Sequence, residues 1–344
     1  MGTNTAARAP KGRAAETSKS EAVVRGASRC SLLTLLLQLA AILLAASPAF
    51  PQTAQQPSVL VIVVDDVGWE DLASVPLANI QAFAPAARVY ERCYSCPVCS
   101  PSRVGMLTGT YPHRAFVGSA LDVISPGLVG MPTTWKTVPE ALAAAGYSTA
   151  LFGKAHVSGL AGANPLEQMR VHGFETWRAG VASNISAPDT HYNWKRIDNG
   201  KEAATTTYST TAVVNAAVGW WGATSGPKFA VLAAMAPHEP FDAPPANKLP
   251  AGYVVGSTQR AKFEAALVSL DFHLGALLGV IDFSNTHVVL VCDNGTAHQV
   301  PPPNGQSQGY KLTVYEGGVR VPLLWWGPGV LPGQDTTLVQ SVDL

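Results

Sequence analysis

Four short apolar runs, each closing on polar residues, constrain this chain most. Residues 59–64, 149–152, 229–236 and 287–292 are rich in bulky or β-branched apolar side chains and lack the alternation of a half-solvated strand. That is the pattern of strands buried on both faces of a parallel sheet. Helical patterns lie between them at 138–145 (closed by Gly146), 208–221 and 260–280. The alternation predicts an α/β fold, a mostly parallel central sheet sandwiched by helices. In such sheets ligands bind beyond the carboxyl ends of the strands. The residues that follow the four runs are Asp65-Asp66, Gly153-Lys154-Ala155-His156, Pro237-His238-Glu239-Pro240 and Asp293-Asn294-Gly295. One sheet edge would thus collect three aspartates, an asparagine, two histidines and a lysine, which is the make-up of a metal-plus-anion site. Taken singly, Asp65-Asp66 reads equally as a helix cap and Asp293-Asn294-Gly295 as a turn. Taken together they offer oxygen ligands only, which suit Ca²⁺ or Mg²⁺ rather than zinc.

The run Cys99-Ser100-Pro101-Ser102-Arg103, with Leu107-Thr108-Gly109 downstream, is the second constraint. Proline fits the first turn of a helix, where its missing N–H has no partner to lose, so a helix is predicted to open at Cys99. The free N–H groups and dipole of that opening favour an anion, and Arg103 adds a fixed cation. Cys99 is therefore a candidate nucleophile facing an anionic substrate. Cys93, Cys96 and Cys99 also open like an iron–sulfur run, but Arg103 stands where the fourth cysteine would fall. Five cysteines at these positions make no disulfide framework.

With 47% hydrophobic and 13% charged residues, the 344-residue chain has ample material for a large core. Its formal net charge is zero and it carries no basic stripe, so no nucleic-acid partner is expected. Residues 1–30 hold six Lys/Arg against two Glu and precede an apolar run at 31–46. A basic segment followed by an apolar run shorter than a membrane span predicts a secretory signal. Residues 1–57 are accordingly read as signal peptide or anchor plus linker, and 58–344 as the catalytic core. The expected compartment is secreted, periplasmic or otherwise exported, with membrane attachment only if the leader stays uncleaved.

Several blocks in order resemble the type I sulfatases of the alkaline-phosphatase-like superfamily. Asp65-Asp66-x-Gly68-Trp69-x-Asp71-Leu72 is similar to that family's N-terminal metal motif. Residues 99–109 with Tyr111-Pro112-His113-Arg114 resemble its activation signature, and Gly146-Tyr147 through Lys154-x-His156 its next block. Residues 236–240, Asp293-Asn294-Gly295 and the stretch from Lys311 to Pro322 follow in the family's order. The resemblance implies hydrolysis of sulfate esters to inorganic sulfate and an alcohol or phenol. It implies that a maturation enzyme oxidises Cys99 to formylglycine, whose hydrate is the nucleophile. It further implies that Asp65, Asp66, Asp293 and Asn294, with the Cys99-derived oxygen, hold Ca²⁺ (or Mg²⁺). Arg103 would stabilise the ionised hydrate. Lys154, His238 and Lys311 would hold sulfate oxygens or assist the leaving alcohol, and His156 would take the proton of the second hydroxyl as sulfate is expelled.

Phosphonate monoesters or phosphodiesters would suit the same residues, and an inactive binding remnant is the reading from another class. Two departures from the family stand out. Ala155 replaces a usual tryptophan, which is expected to reshape the pocket wall. The sequence ends at Leu344, where the family continues into a smaller C-terminal subdomain, so that subdomain is expected to be missing. Asn184-Ile185-Ser186 and Asn294-Gly295-Thr296 also match the N-glycosylation pattern.

Overall fold

The computed structural model describes residues 56–121, 130–158, 164–302 and 307–344. The leader read at 31–46 lies outside them. No helix among the described residues is long and apolar enough to cross a membrane.

Strand β1 (Ser58–Val64) is the axis of the sheet, and its β-branched residues suit a pleated, doubly buried position. It pairs in parallel with β7 (Lys228–Ala233) on one side and β8 (Thr286–Cys292) on the other, and β7 continues in parallel to β3 (Ser148–Lys154) and then β4 (Thr176–Val181). The four predicted strands are thus contiguous and point the same way, so their carboxyl ends meet at one edge. Antiparallel pairings occur towards the margins. β9 (Arg320–Trp326) lies between β8 and β2 (Arg88–Tyr94), while β5 (Trp194–Asp198) and β6 (Lys201–Thr205) extend the other side. With β10 (Gly333–Gln340) the order is β10-β2-β9-β8-β1-β7-β3-β4-β5-β6.

Helices cover both faces. Helix α1 (Trp69–Ser74) and α2 (Ala78–Phe83) follow β1, α3 (Cys99–Thr108) follows β2, and α4 (Val138–Ala144) precedes β3. α4 opens on a capping box, in which Thr137 accepts from the Glu140 N–H and Glu140 reaches back to the Thr137 N–H. Helix α5 (Ser209–Ala223) packs against the sheet through Trp220, whose ring meets Phe152 edge-on. Its neighbour α6 (Gln259–Leu278) is capped by Thr258. Successive strand residues face opposite ways, so Leu151, next to Phe152, looks away from α5. It lines an apolar cavity of about 380 Å³ with Val61, Val231, Val289, Met106 of α3 and Leu142 of α4.

The structure also corrects several expectations. β7 ends at Ala233, three residues short of the predicted run, because the chain turns there and His238 N–H closes on the Met235 carbonyl. The stretch 157–200, where no strand was predicted, contains β4 and β5. Ala155 is buried and lines the apolar cavity together with Arg103 and Lys154.

Candidate active site

Each strand end contributes in its own way. After β1 the chain breaks into Asp65 and Asp66, both buried. Asp66 adopts a left-handed backbone (φ 60°), which turns its carboxylate away from the strand direction. β3 carries Gly153 (φ 92°) just before its last residue, where a Cβ would stand 2.1 Å from the Ala233 carbonyl oxygen of β7, so only glycine lets the two strands lie this close. Lys154 follows, buried to 1% exposure, and then His156, again left-handed at φ 54°. Two left-handed non-glycine residues at one edge mark stored strain of the kind found at functional sites. Gly295 after β8 allows a similarly close approach, its Cβ position lying 2.0 Å from the Gly317 carbonyl oxygen.

Cys99 is the first residue of α3, and its Sγ lies 3.2 Å from His156 Nδ1. The signature serines hold the turn itself. Ser100 Oγ accepts from the Leu121 N–H at 2.9 Å, and Ser102 Oγ accepts from the Cys96 N–H at 3.1 Å. One turn further, Arg103 reaches under the edge. Its Nε donates to Asp293 Oδ2 at 2.8 Å, Nη1 donates to the Lys154 carbonyl at 3.1 Å, and Nη2 stands 3.5 Å from Asp65. Lys154 Nζ contacts Asp65, Lys311 Nζ lies 2.6 Å from Asp66 Oδ1, and His238 Nε2 lies 3.7 Å from Asp66 Oδ2. Asn294 Nδ2 donates to Asp66 Oδ1 at 2.8 Å. The loop bearing Lys311 is tied to the approach of α3 by the Leu312 N–H, which donates to the Pro97 carbonyl at 2.8 Å. All ten sequence-predicted site residues, Asp65, Asp66, Cys99, Arg103, Lys154, His156, His238, Asp293, Asn294 and Lys311, therefore meet in one contiguous cluster.

The electrostatics of the cluster follow from burial and crowding. Burial opposes the charged form of Asp65, but Lys154, with His238, Arg103 and Lys311, outweighs it and holds this carboxyl well below the usual carboxylate range. Asp293 goes the other way: burial raises it, and the neighbouring Asp65 charge adds to the rise. Burial pushes the Cys99 thiol up to about 11, with Lys154 acting against the rise and Asp65 and Asp293 reinforcing it. An unmodified Cys99 is thus a protonated thiol at neutral pH, poor as a thiolate nucleophile. Burial, then Lys154 and Arg103, keep His156 well below its ordinary value, so its imidazole is neutral.

The donor set fits a hard divalent cation. One ligand atom each from Asp65, Cys99 and Asp293 lie within 4.8 Å of one another, and the same holds for Asp65, Asp66 and His238. Asp65 Oδ1 and Asn294 Oδ1 are buried oxygens with no hydrogen-bond donor in the protein. An unpaired buried acceptor is costly, and a cation would satisfy both.

Sequence reasoning missed three supporting residues and one wall residue. Asp71, part of the first motif, accepts from the Gly68 N–H (3.1 Å), from Arg260 Nη1 (2.6 Å) and from the Thr296 hydroxyl, joining the loops after β1 and β8 to α6. Arg260 carries no local signal and Thr296 stood out only as the end of a sequon, because their common partner is about 190 or more residues away. His191 is buried behind His238. Its Nε2 contacts the His238 carbonyl at 3.1 Å, while Nδ1 lies 2.6 Å from Ser209 Oγ. Asn184 lines the same crevice as Asp65, Lys154 and His238; its sequon was the visible signal, and it pointed elsewhere.

A mostly parallel sheet that gathers an acidic oxygen cluster and several cations at its carboxyl edge is the architecture of the alkaline-phosphatase-like superfamily. A profile of the sulfatase family matches residues 57–344, and the chain belongs to that family. It is 29% identical to N-acetylgalactosamine-6-sulfatase of Sus scrofa over 93% of this chain and 65% of the relative. It is also 29% identical to an arylsulfatase of Klebsiella aerogenes over 55% of this chain and 45% of the relative. Among solved structures, Ps i-CgsB in complex with k-i-k-neocarrahexaose superposes with a TM-score of 0.75 at 25% identity, over 84% of this chain and 70% of that one. The chain spans 60–65% of the length of the mammalian N-acetylgalactosamine-6-sulfatases it matches.

Proposed function

We propose that this chain hydrolyses sulfate esters, releasing inorganic sulfate and an alcohol or phenol. One observation carries the reading: in a sulfatase-family chain, three carboxylates, an amide oxygen, three long cationic side chains and Cys99 converge in one buried cluster at the sheet edge. Asp65, Asp66, Asp293 and Asn294 would hold Ca²⁺, with Mg²⁺ the alternative for the same oxygen donors. When bound, such an ion supplies Lewis acidity to the ester and lowers the pKa of an attacking hydroxyl. Cys99, converted to formylglycine by a maturation enzyme, would supply an aldehyde hydrate, one hydroxyl to attack sulfur and a second to release sulfate by elimination.

The remaining roles belong to side chains already in place. Arg103 fixes Asp293 and presents a cation next to the nucleophile. His156, neutral and 3.2 Å from the Cys99 side chain, is positioned to accept a proton from whatever oxygen replaces the sulfur. Lys154, Lys311 and His238 would neutralise charge on the sulfate oxygens and on the departing oxygen. The basic segment and apolar run ahead of the core support an exported enzyme.

The test joins mass spectrometry of the peptide spanning 93–114 with an aryl-sulfate assay. Active protein is expected to carry Cys99 as formylglycine, to lose activity in chelator and to regain it with Ca²⁺. Full activity with Cys99 unmodified would sink the mechanism.

A further inference from the structure

The candidate cation ligands come from two loops at the ends of neighbouring strands. Asp65 and Asp66 follow β1, and Asp293 and Asn294 follow β8. The direct ties between these loops run through the ligands themselves. Asn294 Nδ2 donates to Asp66 Oδ1 at 2.8 Å, and the Asp66 N–H donates to Asp293 Oδ1 at 3.3 Å. Both acceptors are carboxylate oxygens of the ligands, so these ties compete with a bound cation for the same atoms.

A second set of ties uses no ligand residue. Asp71, fully buried in α1, accepts through Oδ2 from the Gly68 N–H at 3.1 Å and from the Thr296 hydroxyl. Thr296 stands just past Asn294, and its carbonyl accepts the Lys311 N–H at 2.8 Å. On its other side, Asp71 Oδ1 meets Arg260 Nη1 at 2.6 Å, and the same nitrogen donates to the Val300 carbonyl at 2.9 Å. Arg260 is itself fixed on α6. Its Nε donates to Glu264 Oε1 at 2.8 Å, and its guanidinium lies 4.9 Å from the centre of the Phe263 ring. One buried carboxylate thus fastens the loop after β1 to the loop after β8 at Thr296 and, through Arg260, at Val300. The segment that carries Lys311 hangs from the same point.

We infer that Asp71, Thr296 and Arg260 form a positioning clamp that sets the spacing between Asp65-Asp66 and Asp293-Asn294, and through it the affinity of the site for its divalent cation. The inference rests on the cation site of the proposed function. Both Asp71 oxygens are engaged within the clamp, so its part is to position the ligands and not to join them. Calcium takes its oxygens at about 2.3–2.6 Å, and ligands already held at the working spacing lose less freedom when the ion arrives.

Calorimetric titration of CaCl₂ into chelator-treated protein tests the clamp. Thr296→Val keeps the side chain's shape and removes the hydroxyl, and it is expected to raise the Ca²⁺ Kd by about ten- to hundredfold. Thr296→Ser, which keeps the hydroxyl, is expected to stay within about threefold of the wild type. Arg260→Lys keeps the charge but cannot hold Asp71, Val300 and Glu264 at once, and should raise the Kd by at least about threefold. This milder variant tests the clamp even where Thr296→Val does not fold. Urea unfolding of the cation-free proteins separates positioning from scaffolding, because a merely structural network predicts lower stability with an unchanged Kd. A wild type that binds Ca²⁺ while Thr296→Val and Arg260→Lys keep its Kd would overturn the clamp alone. So would a Thr296→Ser variant as weak as Thr296→Val. A wild type that binds neither Ca²⁺ nor Mg²⁺ would overturn the cation site and the clamp with it.

Discussion

Arg103 holds most of the site's charge in register. Its guanidinium is buried and meets Asp293 through both Nε and Nη2, at 2.8 and 2.7 Å, while Nη1 reaches the Lys154 carbonyl. A lysine cannot reproduce that fork, because an ammonium is a point charge without fixed donor directions. Removing the cation altogether leaves Asp293 buried without its principal partner. Arg103→Met is therefore expected to destabilise the chelator-treated protein by about 3–5 kcal/mol in urea unfolding, with Arg103→Lys in between. A loss below about 1 kcal/mol for the methionine variant would show that the pair contributes little. At this scale the ten site residues were legible because each lies at or just past a strand end or in a sequence motif. Asn184 and His191 were not, because isolated polar residues acquire meaning only from partners the fold supplies. His191 meets a carbonyl 47 residues away.

The strands behave in the same way as elements. β1, β3, β7 and β8 were readable because burial on both faces demands continuous apolar runs. β6 and β10 were not readable, since their largely exposed residues, Lys201–Thr205 and Gly333–Gln340, carry no hydrophobic pattern and pair only because a neighbouring edge is free. What the apolar pattern cannot show is how close two strands come at their ends. Gly153 is that point on β3: its positive φ disfavours any side chain, and a Cβ would overlap the Ala233 carbonyl oxygen at 2.1 Å. Since backbone rather than a flexible side chain is struck, β3 must move away from β7 and carry Lys154 and His156 with it. Gly153→Ala is expected to cost more than about 2 kcal/mol, the sum of left-handed strain and the displaced backbone. It should also lower kcat/KM on aryl sulfate by at least about tenfold, because misplacement by an ångström is enough to spoil a pre-organised site. A variant with wild-type stability in urea and wild-type kcat/KM would show that the strands separate without disturbing the edge.

Across the whole molecule, burial of neutral imidazoles sets how stability responds to acid. His172, His191 and His273 are all buried, and burial pushes each below its ordinary value. His273 is held by the Ser269 carbonyl and the Thr211 hydroxyl, at 2.7 and 2.8 Å, and His191 by Ser209 and the His238 carbonyl. In the folded chain these rings stay neutral as the pH drops through about 6.5, whereas in the unfolded chain they take up protons there. The unfolded state then binds more protons than the folded one, so stability rises with pH in this window and is lost as pH falls below about 6.5. Each histidine adds a slope of up to about 1.4 kcal/mol per pH unit until its own folded-state pKa is passed. Asp71, Asp271 and Asp293, raised by burial, act in the opposite sense, taking up protons in the folded state above the usual carboxylate value. Their contribution is common to wild type and histidine variants, so a difference between the two isolates the imidazoles. The free energy of unfolding in urea is expected to fall between pH 7 and 5.5, and His273→Gln, which keeps a polar side chain but cannot titrate, should flatten that slope by up to about one proton's worth. A stability that is flat or rising towards pH 5.5, or a variant whose slope matches the wild type, would place the acid response elsewhere in the chain.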